Sequence, residues 1–83
     1  MIVWDLLKTY NCINIKIESE EEMKELVVAA VKNGIKINYF DFYKGIYVYF
    51  DNGYLETTNE ELIKNATIKQ YNYEYKKIRH HLI

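Results

Sequence analysis

The hydrophobic period changes three times within the first forty residues, and that change points to folds in which a helix packs against a sheet. From Cys12 to Ile17 apolar and polar side chains alternate, with Ile13, Ile15 and Ile17 set against Asn14 and Lys16. This is the pattern of a strand with one buried face. After Ser19 the spacing lengthens to three and four, and Met23, Leu26, Val27, Ala30 and Val31 form the stripe of an amphipathic helix. Ser19-Glu20-Glu21-Glu22 has the form of a capping box, with three acids at the positive helix end. Glu20 and Lys24 stand one turn apart, and Gly34 supplies the residue that can turn left-handed to close the helix. A helix over Glu20 to Asn33 is therefore expected.

From Ile35 the period returns to two, and the run to Tyr43 is rich in Ile, Tyr and Phe, which favour a pleated surface. Lys44-Gly45 reads as a turn into a strand over Ile46 to Phe50. Asn52-Gly53 then reads as a type I′ hairpin turn, because both residues tolerate positive φ. Two consecutive hairpins follow from this reading. Thr58 or Asn59 can cap a short helix of Glu60 to Asn65, with Leu62, Ile63 and Ala66 as its apolar side. Thr67 to Tyr75 is expected as the final strand, and residues 2, 3, 6, 7 and 10 give Ile2 to Tyr10 the spacing of a short helix. The fold class is then α+β: a mainly antiparallel four- to five-stranded sheet, one principal helix on one face, and short helices near the N-terminus and before the last strand. The expected core includes Ile13, Ile15, Ile17, Leu26, Val27, Ala30, Val48 and Phe50.

A chain of 83 residues buries only about 60–65% of its unfolded surface, which leaves material for one domain, residues 1–83. Hydrophobic residues make up 49% and charged residues 28%, a globular balance. The longest apolar runs, Leu26 to Val31 and Ile46 to Phe50, fall far short of the roughly 18 residues of a membrane span. Met-Ile-Val-Trp is followed at once by Asp5, without the basic and long apolar segments of a secretory signal. The expected location is cytoplasmic. The single cysteine, Cys12, cannot form an internal disulfide and reads as a small buried hydrophobe.

Signals for chemistry are sparse. The three glycines, Gly34, Gly45 and Gly53, are each accounted for by a cap or a turn, so no phosphate-binding loop is left. No CxxC, HExxH or calcium-loop spacing occurs, and His80-His81 is the remaining candidate pair for a transition metal. Adjacent residues on a strand face opposite ways, so these two read as part of a solvated terminus. Asp41, Asp51, Glu56, Glu60 and Glu61 show no paired spacing that assigns a general acid and base. Ser19, the sole serine, is occupied as a cap. Tyr75, Lys76, Lys77, Arg79, His80 and His81 contain groups that metal-independent ribonucleases use, but composition alone does not make them a site. The expectation is a protein that is not an enzyme, with no cofactor and no metal.

Nine tyrosines, three phenylalanines and one tryptophan are the chain's main functional signal. Tyr47, Tyr49, Tyr71, Tyr73 and Tyr75, with Lys76, Lys77 and Arg79, are the candidate partner-binding residues. Tyrosine offers large contact area at low entropy cost in protein interfaces. The same rings, with Lys69 and the other basic groups on phosphates, could stack RNA or single-stranded bases. Charge decides between the two. Residues 1–42 carry five Lys against seven acids and residues 43–83 six Lys or Arg against five acids, so the net is −1 and lacks the basic dominance of phosphate binders. A protein partner is the first expectation and nucleic acid the alternative. A homodimer through an exposed aromatic strand is a further possibility.

The order of "DLLKTYNCINIKI", then "SEEEMKELVVAAVKNGIKI", then aromatic hairpins resembles small proteins encoded by phages of low-GC bacteria, anti-CRISPR inhibitors among them. As a pattern it covers residues 1 to 75. The resemblance implies an inhibitor of a host protein, such as a defence nuclease, acting by surface occupation. It carries no functional residue across.

Overall fold

The second helix carries its start and stop signals at its two ends. The computed structural model describes residues 3–9, 12–43 and 45–83. In it, α1 (Trp4–Thr9) and β1 (Ile13–Lys16) precede α2 (Glu20–Lys32). The Ser19 hydroxyl accepts from the Glu22 amide at 3.2 Å. Glu22 Oε1 accepts in return from the Glu18 amide at 2.8 Å, one residue before the cap. At the other end Gly34 takes φ +85°. Its amide donates to the Val31 carbonyl and the Ile35 amide to that of Ala30, which is the Schellman pattern. The buried stripe is Met23, Leu26, Ala29 and Ala30; Val27 is half-buried against the core, whereas Val31 is 54% exposed and lies off the face expected for it.

The remaining elements are β2 (Lys36–Tyr39), β3 (Tyr47–Asp51), β4 (Tyr54–Thr58), α3 (Glu60–Lys64), β5 (Tyr71–Glu74) and α4 (Tyr75–Leu82). The strands form one sheet in the order β2-β4-β3-β1-β5. Pairs β1–β3 and β3–β4 are antiparallel, while β1–β5 and β2–β4 are parallel. The sheet is therefore mixed, not mainly antiparallel. The Asn52-Gly53 hairpin forms, with φ of +49° and +83° at its two central residues and Asp51 opposite Tyr54.

The hairpin expected around Lys44-Gly45 does not form, although Lys44 itself lies outside the described residues. β2 instead lies parallel to β4, with Lys36 opposite Tyr54 and Ile37 opposite Leu55. The pairing slips before Tyr39, and the Asp41 amide donates to Thr57 Oγ1 at 3.2 Å, which holds the following loop against β4.

The C-terminus departs further from its expected form. The last strand stops at Glu74, and Tyr75 opens a helix instead of ending a strand. Tyr75, Ile78 and Leu82 fall at helical spacing and are all buried. Trp4 Nε1 donates to the Leu82 carbonyl at 2.9 Å, which ties α1 to α4. The core thus joins Leu7 of α1, Met23, Leu26 and Ala30 of α2, and Tyr75, Ile78 and Leu82 of α4 to Ile13, Ile15, Val48, Phe50 and Leu55 of the sheet. Burying one such side chain fully is worth about 1.5–3 kcal/mol. The N-terminal helix is present over Trp4–Thr9, while Ile2, Tyr10 and Asn11 lie outside the described residues. Asn59 caps α3 by accepting from the Leu62 amide at 2.9 Å, but α3 buries no side chain fully. Among the described residues no helix is long and apolar enough to cross a membrane.

Candidate functional site

Three surfaces compete for a role, and the C-terminal cluster comes first because the sequence singled it out. Helix α4 does not present its cations freely. Arg79 grips Glu25 of α2 with two of its three guanidinium nitrogens, Nε to Oε1 and Nη2 to Oε2 at 2.9 Å, and the Tyr75 hydroxyl donates to the same Oε1 at 2.6 Å. The Arg79 hydrogen bond and then that of Tyr75 pull the Glu25 carboxyl down to about 2. Burial, and then the bond to Glu25, push the Tyr75 phenol up. Lys77 lies 2.7 Å and Lys76 3.8 Å from the Glu74 carboxylate, which Lys77 holds below the usual range. Tyr75 is fully enclosed, so its ring belongs to the core and offers no partner surface. His80 and His81 sit on the last turn of α4 with ring centroids 4.0 Å apart, not on a strand.

The candidate tyrosines divide between opposite sides of the sheet. Tyr71 stands opposite Ile13 and Tyr73 opposite Ile15, which places them on the helix-covered side. There they line a hollow of about 210 Å³ with Leu6 and Ile13. Lys69 Nζ lies 5.3 Å from the Tyr71 ring centre. Tyr47 and Tyr49 are half-buried on the opposite side, opposite Lys16 and Asn14. Five rings so distributed do not make one stacking platform.

The strongly exposed aromatics are elsewhere. Tyr39 is 59% exposed, Phe40 49%, Tyr43 48% and Tyr54 45%. They lie along edge strand β2, in the loop after it and on neighbouring β4. Lys36 Nζ sits 5.8 Å from the Tyr54 ring centre. A signal for this patch was present in the sequence: Tyr39-Phe40 and Tyr43 beside Phe42 are adjacent pairs of aromatics, which a strand of period two cannot bury on one face.

The side of the sheet opposite the buried isoleucines of β1 carries a polar row. Asn72, Asn14, Tyr49 and Glu56 stand beside one another across β5, β1, β3 and β4. Asn14 is fully buried, and its Nδ2 donates to Gln70 Oε1 at 2.8 Å and to Asn72 Oδ1 at 3.0 Å. Its Oδ1 is enclosed without a hydrogen-bond partner. The Tyr49 phenol is pushed up to about 12, first by burial and then by Cys12, whose sulfur lies 3.9 Å away, so it stays protonated. Cys12 is buried, as its composition implied. Glu56 Oε2 accepts from Asn38 Nδ2 at 2.9 Å. Among the described residues no group of three His, Cys, Asp or Glu side chains is placed to hold a metal ion.

Comparison with protein-family models, curated proteins and solved structures gave no match. The functional reading therefore rests on the chain's own surfaces.

Proposed function

We propose that this chain is a protein-binding module that works by occupying a partner's surface, and that the aromatic edge around β2 makes the contact. The observation that carries this reading is the concentration of Tyr39, Phe40, Tyr43 and Tyr54 in solvent along one edge of the sheet. Large rings held in water mark interaction sites when they are grouped, and not when they are scattered singly. Tyrosine and phenylalanine are also enriched at the centres of interfaces. The sequence resemblance to phage-encoded inhibitors favours a host protein, such as a defence nuclease, as the partner.

Affinity capture from a lysate of a low-GC bacterium, with the wild-type chain and with the Tyr39→Ser, Phe40→Ser double variant, tests the reading. The expected result is a stoichiometric protein that the double variant loses while its thermal melt is unchanged, since both rings are exposed. Recovery of nucleic acid alone would replace the reading with the nucleic-acid alternative. Retention of the same protein by the double variant would move the interface away from β2.

A further inference from the structure

The side of the sheet that carries Asn14 and Tyr49 contains a hollow of about 150 Å³ whose border includes Asn14, Tyr49, Glu56 and Gln70, with Leu62 and Ile63 of α3. It is well below the roughly 300–1,000 Å³ of pockets that take drug-sized ligands or cofactors. It suits a single side chain. Two of its groups have unmet needs, and both are acceptors. Asn14 Oδ1 is buried with no partner, a situation that costs free energy until a donor arrives. Asn14 Nδ2 is engaged by Gln70 and Asn72, so the oxygen is the unpaired end of this amide. The Glu56 carboxylate takes part in no ion pair among the described residues, and its one hydrogen bond, from Asn38, uses Oε2.

A second and wider concavity of about 440 Å³ shares Glu56 and adds Asp51, Asn38, Asn52 and Tyr54. Asp51 is likewise in no ion pair among the described residues. The two hollows together carry two carboxylates, and neither is lined by a cation.

We infer that this hollow is the seat of an arginine side chain from a protein partner, bound at the Glu56 carboxylate and reaching the enclosed oxygen of Asn14, which the wall of the hollow uncovers on binding. A guanidinium is planar and carries five donors in a fixed fork, so it can serve a carboxylate and a carbonyl oxygen together. Its flat face matches the half-buried ring of Tyr49. Leu62 and Ile63 of α3 supply an apolar wall for the methylenes that lead to it. Lysine fits less well, because its compact ammonium is more strongly hydrated and cannot span two acceptors in a plane. The inference rests on the protein-binding reading and adds a chemical specificity to it: the aromatic edge supplies area, and the hollow selects a partner with a projecting arginine.

The test uses N-acetyl-arginine-N-methylamide as the probe, with the neutral citrulline analogue and the lysine analogue as controls, titrated into the isotopically labelled protein. The arginine probe should shift the side-chain amide resonances of Asn14 and Gln70 saturably. The citrulline and lysine analogues should bind about tenfold more weakly or worse, and Glu56→Gln should weaken the arginine probe by at least about tenfold, as expected when one charge-assisted bond is removed. Asn14→Ala removes the buried partner of Gln70 and Asn72 and risks the fold, so Glu56→Gln, at a half-buried strand position, is the deciding variant. Equal binding of citrulline, unchanged affinity in Glu56→Gln, or no saturable shift at Asn14 would overturn the inference. Because the probe needs no partner protein, its failure alongside continued capture through Tyr39 and Phe40 removes the arginine seat alone. A working probe with no protein captured by the wild-type chain, or with the same protein retained by the Tyr39→Ser, Phe40→Ser variant, removes the edge reading alone.

Discussion

Glu25 holds more of the C-terminal helix than its half-exposed place on α2 suggests. One carboxylate receives Arg79 in a two-pronged contact and the hydroxyl of the buried Tyr75, so three residues lock α4 onto α2. Its carboxyl is lowered from 4.5 to about 2, chiefly by the Arg79 hydrogen bond and next by that of Tyr75. A carboxyl depressed in the folded state binds its proton more readily when unfolded, so it contributes stability above the unfolded value and loses it as pH falls through the folded one. The melting temperature should thus be insensitive to this group above pH 4.5 and fall as pH drops from there toward about 2. Glu74, lowered mainly by its hydrogen bond with Lys77, adds in the same direction. Thermal melts across that range should show a shallower acid slope for Glu25→Gln than for wild type, and identical slopes would remove Glu25 from its locking role. In sequence Glu25 was one acid among seven in residues 1–42, with nothing to connect it to Arg79. Asn14 was equally hidden, since alternation places it opposite the isoleucines and says nothing of its burial.

Among the elements, those written in local signals were legible and those that depend on distant contacts were not. Helix α2 and the Asn52-Gly53 turn each carry their instructions within a few residues, and both stand where the sequence places them. Around Tyr75 two patterns overlap. Tyr71, Tyr73 and Tyr75 alternate as a strand would, while Tyr75, Ile78 and Leu82 are spaced as a helix would be. The helix wins at Tyr75 because all three of its apolar residues find the core and Glu25 receives the Tyr75 hydroxyl. The terminal segment is then structural, not frayed. Leu82→Ala should cost about 2–5 kcal/mol in urea denaturation, in the range of other buried leucines. A variant as stable as wild type would mean that α4 is dispensable to the core.

For the whole molecule, strand order is the feature least available from sequence, because a strand's partner is chosen by the entire chain. β2 passes over its neighbour in sequence to pair with β4, and β5 returns to lie parallel to β1. That order also decides what the surface can bind. It sends Tyr71 and Tyr73 to one side of the sheet and Tyr47 and Tyr49 to the other, so successive bases would find no continuous run of rings. Of the cations that could meet phosphates, Lys76 and Lys77 are near Glu74, and Arg79 is held by Glu25. Phosphate contacts would have to compete with these carboxylates, on a chain whose net charge is −1. Nucleic acid should therefore bind no tighter than about 10 micromolar at physiological salt, within the nonspecific range. Titrating labelled single-stranded and duplex RNA and DNA at two salt concentrations measures this directly. Each phosphate contact on a single strand contributes a log–log salt slope of about −0.7, whereas burial of the β2 aromatics is not screened. Tight, salt-steep binding that Lys76→Ala with Lys77→Ala abolishes would mean that these lysines leave Glu74 for phosphate, and it would put nucleic acid ahead of protein as the ligand.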